Sequence, residues 1–186
     1  GDLVDSDSDL KECKNFSKDI TIQLGGLDIS NSIKPNVRAF IESLSFNGFI
    51  LAGNSVANII ENIPIQGDLD FWVTDQSKYL DVLDEFSRKN PKTYDLYPSM
   101  LEMIIPGLPV INLILSDMDA EKTANSFDFD YCRCYYTNQT GCMASEISLN
   151  SIKTKVICNE IYYGGIRTSR ILKAIRYGYK FTTNFW

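Results

Sequence analysis

Apolar and polar positions alternate along this chain in short, well-punctuated blocks. From Pro35, Val37, Phe40, Ile41 and Leu44 recur at helical spacing, and proline suits a helix's first turn, so the pattern predicts a helix that stops at Asn47-Gly48. Phe49-Ile50-Leu51-Ala52 is a short apolar run ending in Gly53-Asn54-Ser55 and reads as a buried strand. Val56, Ile59, Ile60 and Ile63 predict a short helix over 56–63, closed by Pro64. Asp68-Leu69-Asp70-Phe71-Trp72-Val73 reads as a second strand. A helix over 76–89 follows, with Tyr79, Leu80, Leu83 and Phe86 inward and Thr74 or Asp75 as its cap.

Further along, strands are expected near 99–105 and 109–115, either side of a turn at Pro106-Gly107-Leu108-Pro109. A helix over 118–125, capped by Ser116 or Asp117, precedes a strand from Phe127 to Tyr136. A short helix over 142–150, a strand near 154–158 and a last helix over about 167–180 complete the pattern. Residues 11–34 are ambiguous apart from the breaker Gly25-Gly26. The fold class is α/β (α+β): one mixed sheet flanked by helices in a single domain. Its parts are an acidic flexible start and lead-in over 1–34, a core over 35–136 and a basic helical extension over 137–186.

Composition narrows the chemistry. The 186 residues include no histidine, which excludes Ser-His-Asp triads, Cys-His pairs and His-ligated zinc. Five cysteines without a CxxC pair argue against zinc-ribbon and thioredoxin-like chemistry. Their odd number, with no signal peptide, points to a reducing, cytoplasmic compartment. No apolar run reaches the length of a membrane span, so no membrane partner is expected. The net charge of −6 is unevenly spread. Residues 150–186 carry seven bases and one acid, a net of +6 that leaves −12 on the rest. That tail can meet phosphate locally.

The candidate site lies where two of these blocks meet. In a strand, Asp68 and Asp70 point to one face. Two adjacent carboxylates are unfavourable unless a cation neutralises them, and Mg²⁺ (or Mn²⁺) ions between them can hold a nucleoside triphosphate. Gly53, Asn54 and Ser55 sit at a strand-to-helix junction. There backbone N–H groups and the Ser55 hydroxyl can meet a phosphate, and glycine allows its close approach. Arg170, Lys173, Arg176 and Lys180 fall at roughly helical spacing and can face the triphosphate or a nucleic-acid backbone, with Lys153 and Lys155 extending the patch. Tyr162 and Tyr163 can stack on a base or pack as ordinary half-buried aromatics. Trp72 can wall the pocket or cap the core.

The run FILAGNSVANIIENIPIQGDLDFWV, residues 49–73, resembles the DNA polymerase β-like nucleotidyltransferase superfamily: an apolar strand, a Gly-rich turn, a helix, then Asp-x-Asp on the next strand. The resemblance covers roughly residues 36–136. LPVINLIL, SFDFDYCRCYY and the closing stretch from Arg170 to Tyr179 look like a little-studied branch found in large DNA viruses and some eukaryotes, which implies a virus-encoded protein. It implies transfer of a nucleoside monophosphate from an NTP to a hydroxyl of an RNA, protein or small-molecule acceptor. Asp68 and Asp70 would be catalytic and metal-binding, while Gly53, Asn54, Ser55, Arg170 and Lys173 would bind the nucleotide. The pattern departs at Asn112, where the third carboxylate is expected; Asp128 or Asp130 would have to substitute as catalytic acids. Ala57 and Asn58 stand where tRNA-processing members carry Arg and Asp, which argues against a CCA-adding role. Two alternatives remain: a catalytically inactive nucleotide-binding or protein-interaction module of the same fold, and a glycosyltransferase using Asp-x-Asp. For the latter the chain is short and the Gly-Asn-Ser turn unexplained.

Overall fold

The computed structural model describes residues 3–4, 15–158 and 165–182. Its strands are β1 (Leu3–Val4), β2 (Ile22–Gly25), β3 (Phe49–Ala52), β4 (Leu69–Val73), β5 (Lys92–Tyr97), β6 (Met100–Ile104), β7 (Ile111–Leu115), β8 (Cys134–Thr137), β9 (Gly141–Ala144), β10 (Val156–Ile157) and β11 (Lys180–Thr182). The helices are α1 (Pro35–Glu42), α2 (Asn54–Glu61), α3 (Tyr79–Ser87), α4 (Ala120–Asn125), α5 (Glu146–Thr154) and α6 (Thr168–Arg176). Eight strands form a mixed sheet in the order β2-β9-β8-β3-β4-β7-β6-β5. The small parallel sheet β1-β11-β10 stands apart. The expected α/β class, with one mixed sheet and flanking helices, is what the chain adopts.

The centre of the sheet follows from its sequence. β3 is buried along its whole length, as an all-apolar run requires, while β4 alternates. Leu69, Phe71 and Val73 face a core in which Phe40 of α1, Phe46, Phe49, Phe71 and Phe86 of α3 pack edge-on, tilted or stacked, with ring centroids 5.0–6.5 Å apart. The alternate residues of β4, Asp70 and Trp72, are left on the other face. β4 lies between antiparallel β3 and parallel β7, with Asp70 directly beside Asn112.

Several expectations change. The run from Phe127 to Tyr136 is not one strand. Backbone bonds from Cys132 to Phe129 and from Arg133 to Asp130 close a 3₁₀ turn over Asp130–Cys132, and only Cys134–Thr137 pairs in the sheet. Its aromatic alternation mimics a strand, but Phe129 and Tyr131 stack on each other, and Tyr131 stacks on Tyr179 at 3.8 Å. Residues 141–144 form β9 rather than the start of a helix, because Gly141 at φ 69° closes a hairpin from β8. β5 carries no sequence signal, because every residue of it is exposed and no buried face marks it. Phe86 of α3 is buried as expected, but Leu80 is 78% exposed and Val82 takes the inward place. Asp119, rather than Ser116 or Asp117, caps α4. The last helix ends at Arg176, and Lys180 belongs to β11. Leu3–Val4, in the segment expected to be flexible, pairs with Phe181–Thr182. Cys132, Cys134 and Cys142 are free, but Cys158 is disulfide-bonded, which departs from an all-reduced set. No described helix is long and apolar enough to cross a membrane.

Candidate nucleotide and metal site

Gly53 connects β3 to α2 with φ 95° and ψ −146°, a conformation that L-residues rarely adopt. Its N–H bonds the Cys134 carbonyl at 3.2 Å, and its own carbonyl accepts from Val56 and Ala57, starting the helix. The first N–H groups of α2 have no partner within the helix, which suits an anion. Ser55, in that first turn, is 2% exposed and its buried Oγ has no hydrogen-bond partner. Asn54 lines the adjoining cleft, and its Nδ2 reaches Asn58 Oδ1 at 3.5 Å. Asn58 in turn bonds the Gln66 backbone N–H at 2.9 Å, which fixes the loop leading into β4.

Asp68 and Asp70 meet at Asn112. The Asn112 Nδ2 group donates to Asp68 Oδ2 at 3.0 Å and to Asp70 Oδ1 at 2.9 Å, while the buried Asn112 Oδ1 has no partner. Asp68 is exposed and Asp70 half-buried. Burial is the main cause that holds the Asp70 carboxyl above the usual carboxylate range. The Asn112 hydrogen bond opposes it, the Asp68 charge adds to it, and Lys173 and Arg170 pull it down.

Those two cations come from α6, which lies across the opening. Arg170 and Lys173 line a cleft of about 120 Å³ together with Gly53, Asn54, Asp70 and Trp72. The Tyr177 hydroxyl donates to the Gln66 carbonyl at 2.8 Å and ties α6 to the loop before Asp68. Trp72 packs against Phe127 with centroids 5.2 Å apart, and its buried Nε1–H has no acceptor.

The other expected residues are dispersed. Asp128 and Asp130 do not share a strand face, since the 3₁₀ turn separates them. Asp128 forms an ion pair with Arg170 Nε. Asp130 is fully buried and accepts the Cys158 N–H at 2.8 Å, away from the cleft lining. Lys155 pairs with Glu61 at 2.7 Å and lies over the Tyr179 ring, so it does not extend the basic patch. Tyr162, Tyr163 and Gly164 lie outside the described residues. A further carboxylate, Glu102, is placed by register directly opposite Asn112, on the side away from Asp70. Only strand pairing reveals it, as nothing local marks that glutamate.

Two carboxylates beside a phosphate-ready helix terminus fit a hard divalent cation. Mg²⁺ characteristically takes one or two protein carboxylates and completes its shell with water and substrate phosphate. Among the described residues no group of three or more acidic or thiol side chains lies close enough to hold a metal alone.

Comparison with known families decides the lineage. A family model described as Gabija anti-defense 2 family protein matches residues 27–155. This chain belongs to the Gabija anti-defense 2 family. No curated protein matches it. Among solved structures, this Gabija anti-defense 2 family chain is similar to the Thermotoga maritima CCA-adding enzyme complexed with tRNA (TM-score 0.64, 14% identity, 87% of this chain and 43% of that one). It is also similar to a CCA-adding enzyme in complex with ATP (0.67, 16%, 87% and 42%) and to the Bacillus stearothermophilus CCA-adding enzyme with CTP (0.58, 17%, 82% and 42%). The chain thus spans about two fifths of those structures' length. At these identities the likeness is one of fold, and the fold is nucleotidyltransferase-like.

Proposed function

We propose that this chain binds a nucleoside triphosphate with Mg²⁺ or Mn²⁺ and transfers its nucleoside monophosphate to a hydroxyl acceptor. The observation that carries this reading is the meeting of Asp68 and Asp70 beside the α2 terminus, under two cations of α6. In this reading the N–H groups of Asn54 and Ser55 and the Ser55 hydroxyl hold phosphate oxygens, with Gly53 permitting their approach. Lys173 and Arg170 neutralise the triphosphate, and Asp128 positions Arg170. Asp68 and Asp70 hold the cation, which supplies charge neutralisation at the reacting phosphate. The acceptor oxygen bonds to the α-phosphorus, the bond to pyrophosphate breaks, and the hydroxyl proton passes to solvent. A virus-encoded, intracellular protein that counters Gabija, as the family's name describes, is the setting we assign to it.

Labelled NTPs, Mg²⁺ or Mn²⁺ and RNA, protein or small-molecule acceptors test the reading. Label is expected on an acceptor with the wild type and lost in the Asp68→Ala/Asp70→Ala double variant. Equal labelling by both proteins overturns it.

A second reading is nucleotide binding without transfer, and Asn112 favours it. A neutral amide cannot act as a base and already occupies both carboxylates. Calorimetric binding of NTP and Mg²⁺ that needs Asp68 and Asp70, with no label transferred, supports this version. Asn112→Asp restores a third acid. Transfer is then expected to rise ~10-fold or more, about 1.4 kcal/mol of barrier.

A further inference from the structure

The exposed apolar side chains of this chain gather at one edge of the sheet. β5 ends the eight-stranded order, and among the described residues it pairs with β6 alone. Every residue of it is exposed. Six large hydrophobic side chains are exposed among the described residues, and four of them stand on this hairpin: Tyr94, Leu96 and Tyr97 in β5 and Ile104 in β6. Register runs in one line from Asp70 through Asn112 and Glu102 to Tyr94. Directly opposed residues share a face, so Tyr94 lies on the face of the sheet that carries Asp70.

An antiparallel edge strand turns the N–H and C=O of every second residue outward, a row that matches another extended chain. Pro91 and Pro98 bound the row and confine pairing to Lys92–Tyr97. The two charges of β5, Lys92 and Asp95, cancel, so in a chain of net charge −6 this strand adds nothing to the repulsion between two copies. Its side chains complement themselves in one arrangement, a two-fold axis normal to the sheet through Tyr94 that pairs two β5 strands antiparallel. Tyr94 then meets its own copy as a cross-strand aromatic pair. Thr93 stands opposite Asp95 twice, hydroxyl to carboxylate, and Lys92 lays its apolar stem towards Leu96. A parallel pairing would set Lys92 on Lys92 and Asp95 on Asp95, and an axis through Asp95 would oppose two carboxylates.

We infer that β5 is a self-association edge: a second copy of this chain adds its own β5 antiparallel about Tyr94 and joins the two large sheets into one. The occupant is a second copy because the sequence of the strand answers itself at each opposed pair, with no like charges facing. The axis keeps the same face of the sheet uppermost in both copies. Both aspartate pairs therefore open on one side of the dimer, seven strand spacings or roughly 34 Å apart. The inference stands apart from the transferase reading and holds whether or not the cleft transfers a nucleotide.

Analytical ultracentrifugation of the whole chain over a range of concentrations, without nucleotide or metal, tests it. The mean mass is expected to rise towards about twice the monomer value. Tyr94→Asp puts two carboxylates on the axis, and Thr93→Asp puts one opposite each Asp95. Each is expected to weaken self-association ~10-fold or more. Thr93→Asp/Asp95→Lys exchanges that repulsion for two ion pairs and is expected to restore the dimer, which a merely misfolded variant cannot do. Leu172→Asp, which charges an exposed apolar position on α6, is expected to leave self-association unchanged. The inference is overturned if the wild type stays monomeric, which leaves the edge to a strand of another protein. It is equally overturned if Tyr94→Asp and Thr93→Asp associate as the wild type does, or if the double variant stays monomeric. NTP binding that depends on Asp68 and Asp70, measured in the same variants, reports on the nucleotide cleft independently.

Discussion

Asp70 shows how one side chain is tuned by what surrounds it. Its carboxyl is held above the ordinary range chiefly by burial, so the folded protein keeps its proton more tightly than the unfolded chain does. The stability this contributes is fully present at low pH and is lost as pH rises through the raised value. Near neutrality the charged group therefore destabilises the fold. Asp70→Asn carries no charge to desolvate, and its side-chain oxygen can still accept from Asn112. It is expected to melt above the wild type at pH 7, with the gap closing below about pH 4. Thermal unfolding across pH reads this directly, and a variant less stable at pH 7 would contradict it. The paired aspartates were legible from spacing alone, because period-two alternation in a strand puts them on one face. Their binding to Asn112 was not, since that contact crosses 42 and 44 residues of sequence.

At the scale of elements, the β3–Gly53–α2 unit shows close agreement between local sequence and structure. An apolar run, a glycine and a helical repeat dictate a buried strand, a tight reversal and a helix whose N-terminus faces the cleft. Gly53 is needed for its backbone angle rather than for space, as the nearest atom to a Cβ there is 3.8 Å away. Gly53→Ala is expected to cost about 1–3 kcal/mol of stability in urea unfolding. It is also expected to weaken NTP binding, because the N–H groups of α2 turn with the strained residue. Unchanged stability would mean that the turn relaxes freely. The segment from Phe127 to Tyr136 behaves in the opposite way. Its alternating aromatics promised a strand, but packing against Tyr179 and Phe181 bends it into a 3₁₀ turn. That bend sends Asp130 into the interior and leaves Asp128 beside Arg170. Local pattern could not register a partner some fifty residues away.

For the whole molecule, the sheet separates a core face from a working face. Phe71 belongs to the first, packed against Phe40, Phe46, Phe49 and Phe86, and its neighbours Asp70 and Trp72 belong to the second. Phe71→Ala removes a fully buried ring from that cluster and is expected to cost about 3–5 kcal/mol in chemical denaturation. Because β4 carries Asp70, one of the two carboxylates proposed to hold the cation, on its other face, NTP affinity is expected to fall in the same variant. A small stability change would show that the cluster repacks.

By itself, the sequence determined the α/β class, the main helices, the Gly-Asn-Ser turn and the aspartate pair. Each is written in residue spacing, and hydrophobic periodicity over a few turns is a local property. Tertiary structure decided what stands beside that pair. Strand register set Asn112 between Asp70 and Glu102. The docking of α6 brought Arg170 and Lys173 over Asp70, while the packing of α5 on α2 tied Lys155 to Glu61. The packing of α1 against the loops that precede β4 and β7 left a second hollow behind Gly67. These arrangements join segments far apart along the chain. Their geometry depends on how sheet and helices pack as a whole, which no short stretch of sequence encodes.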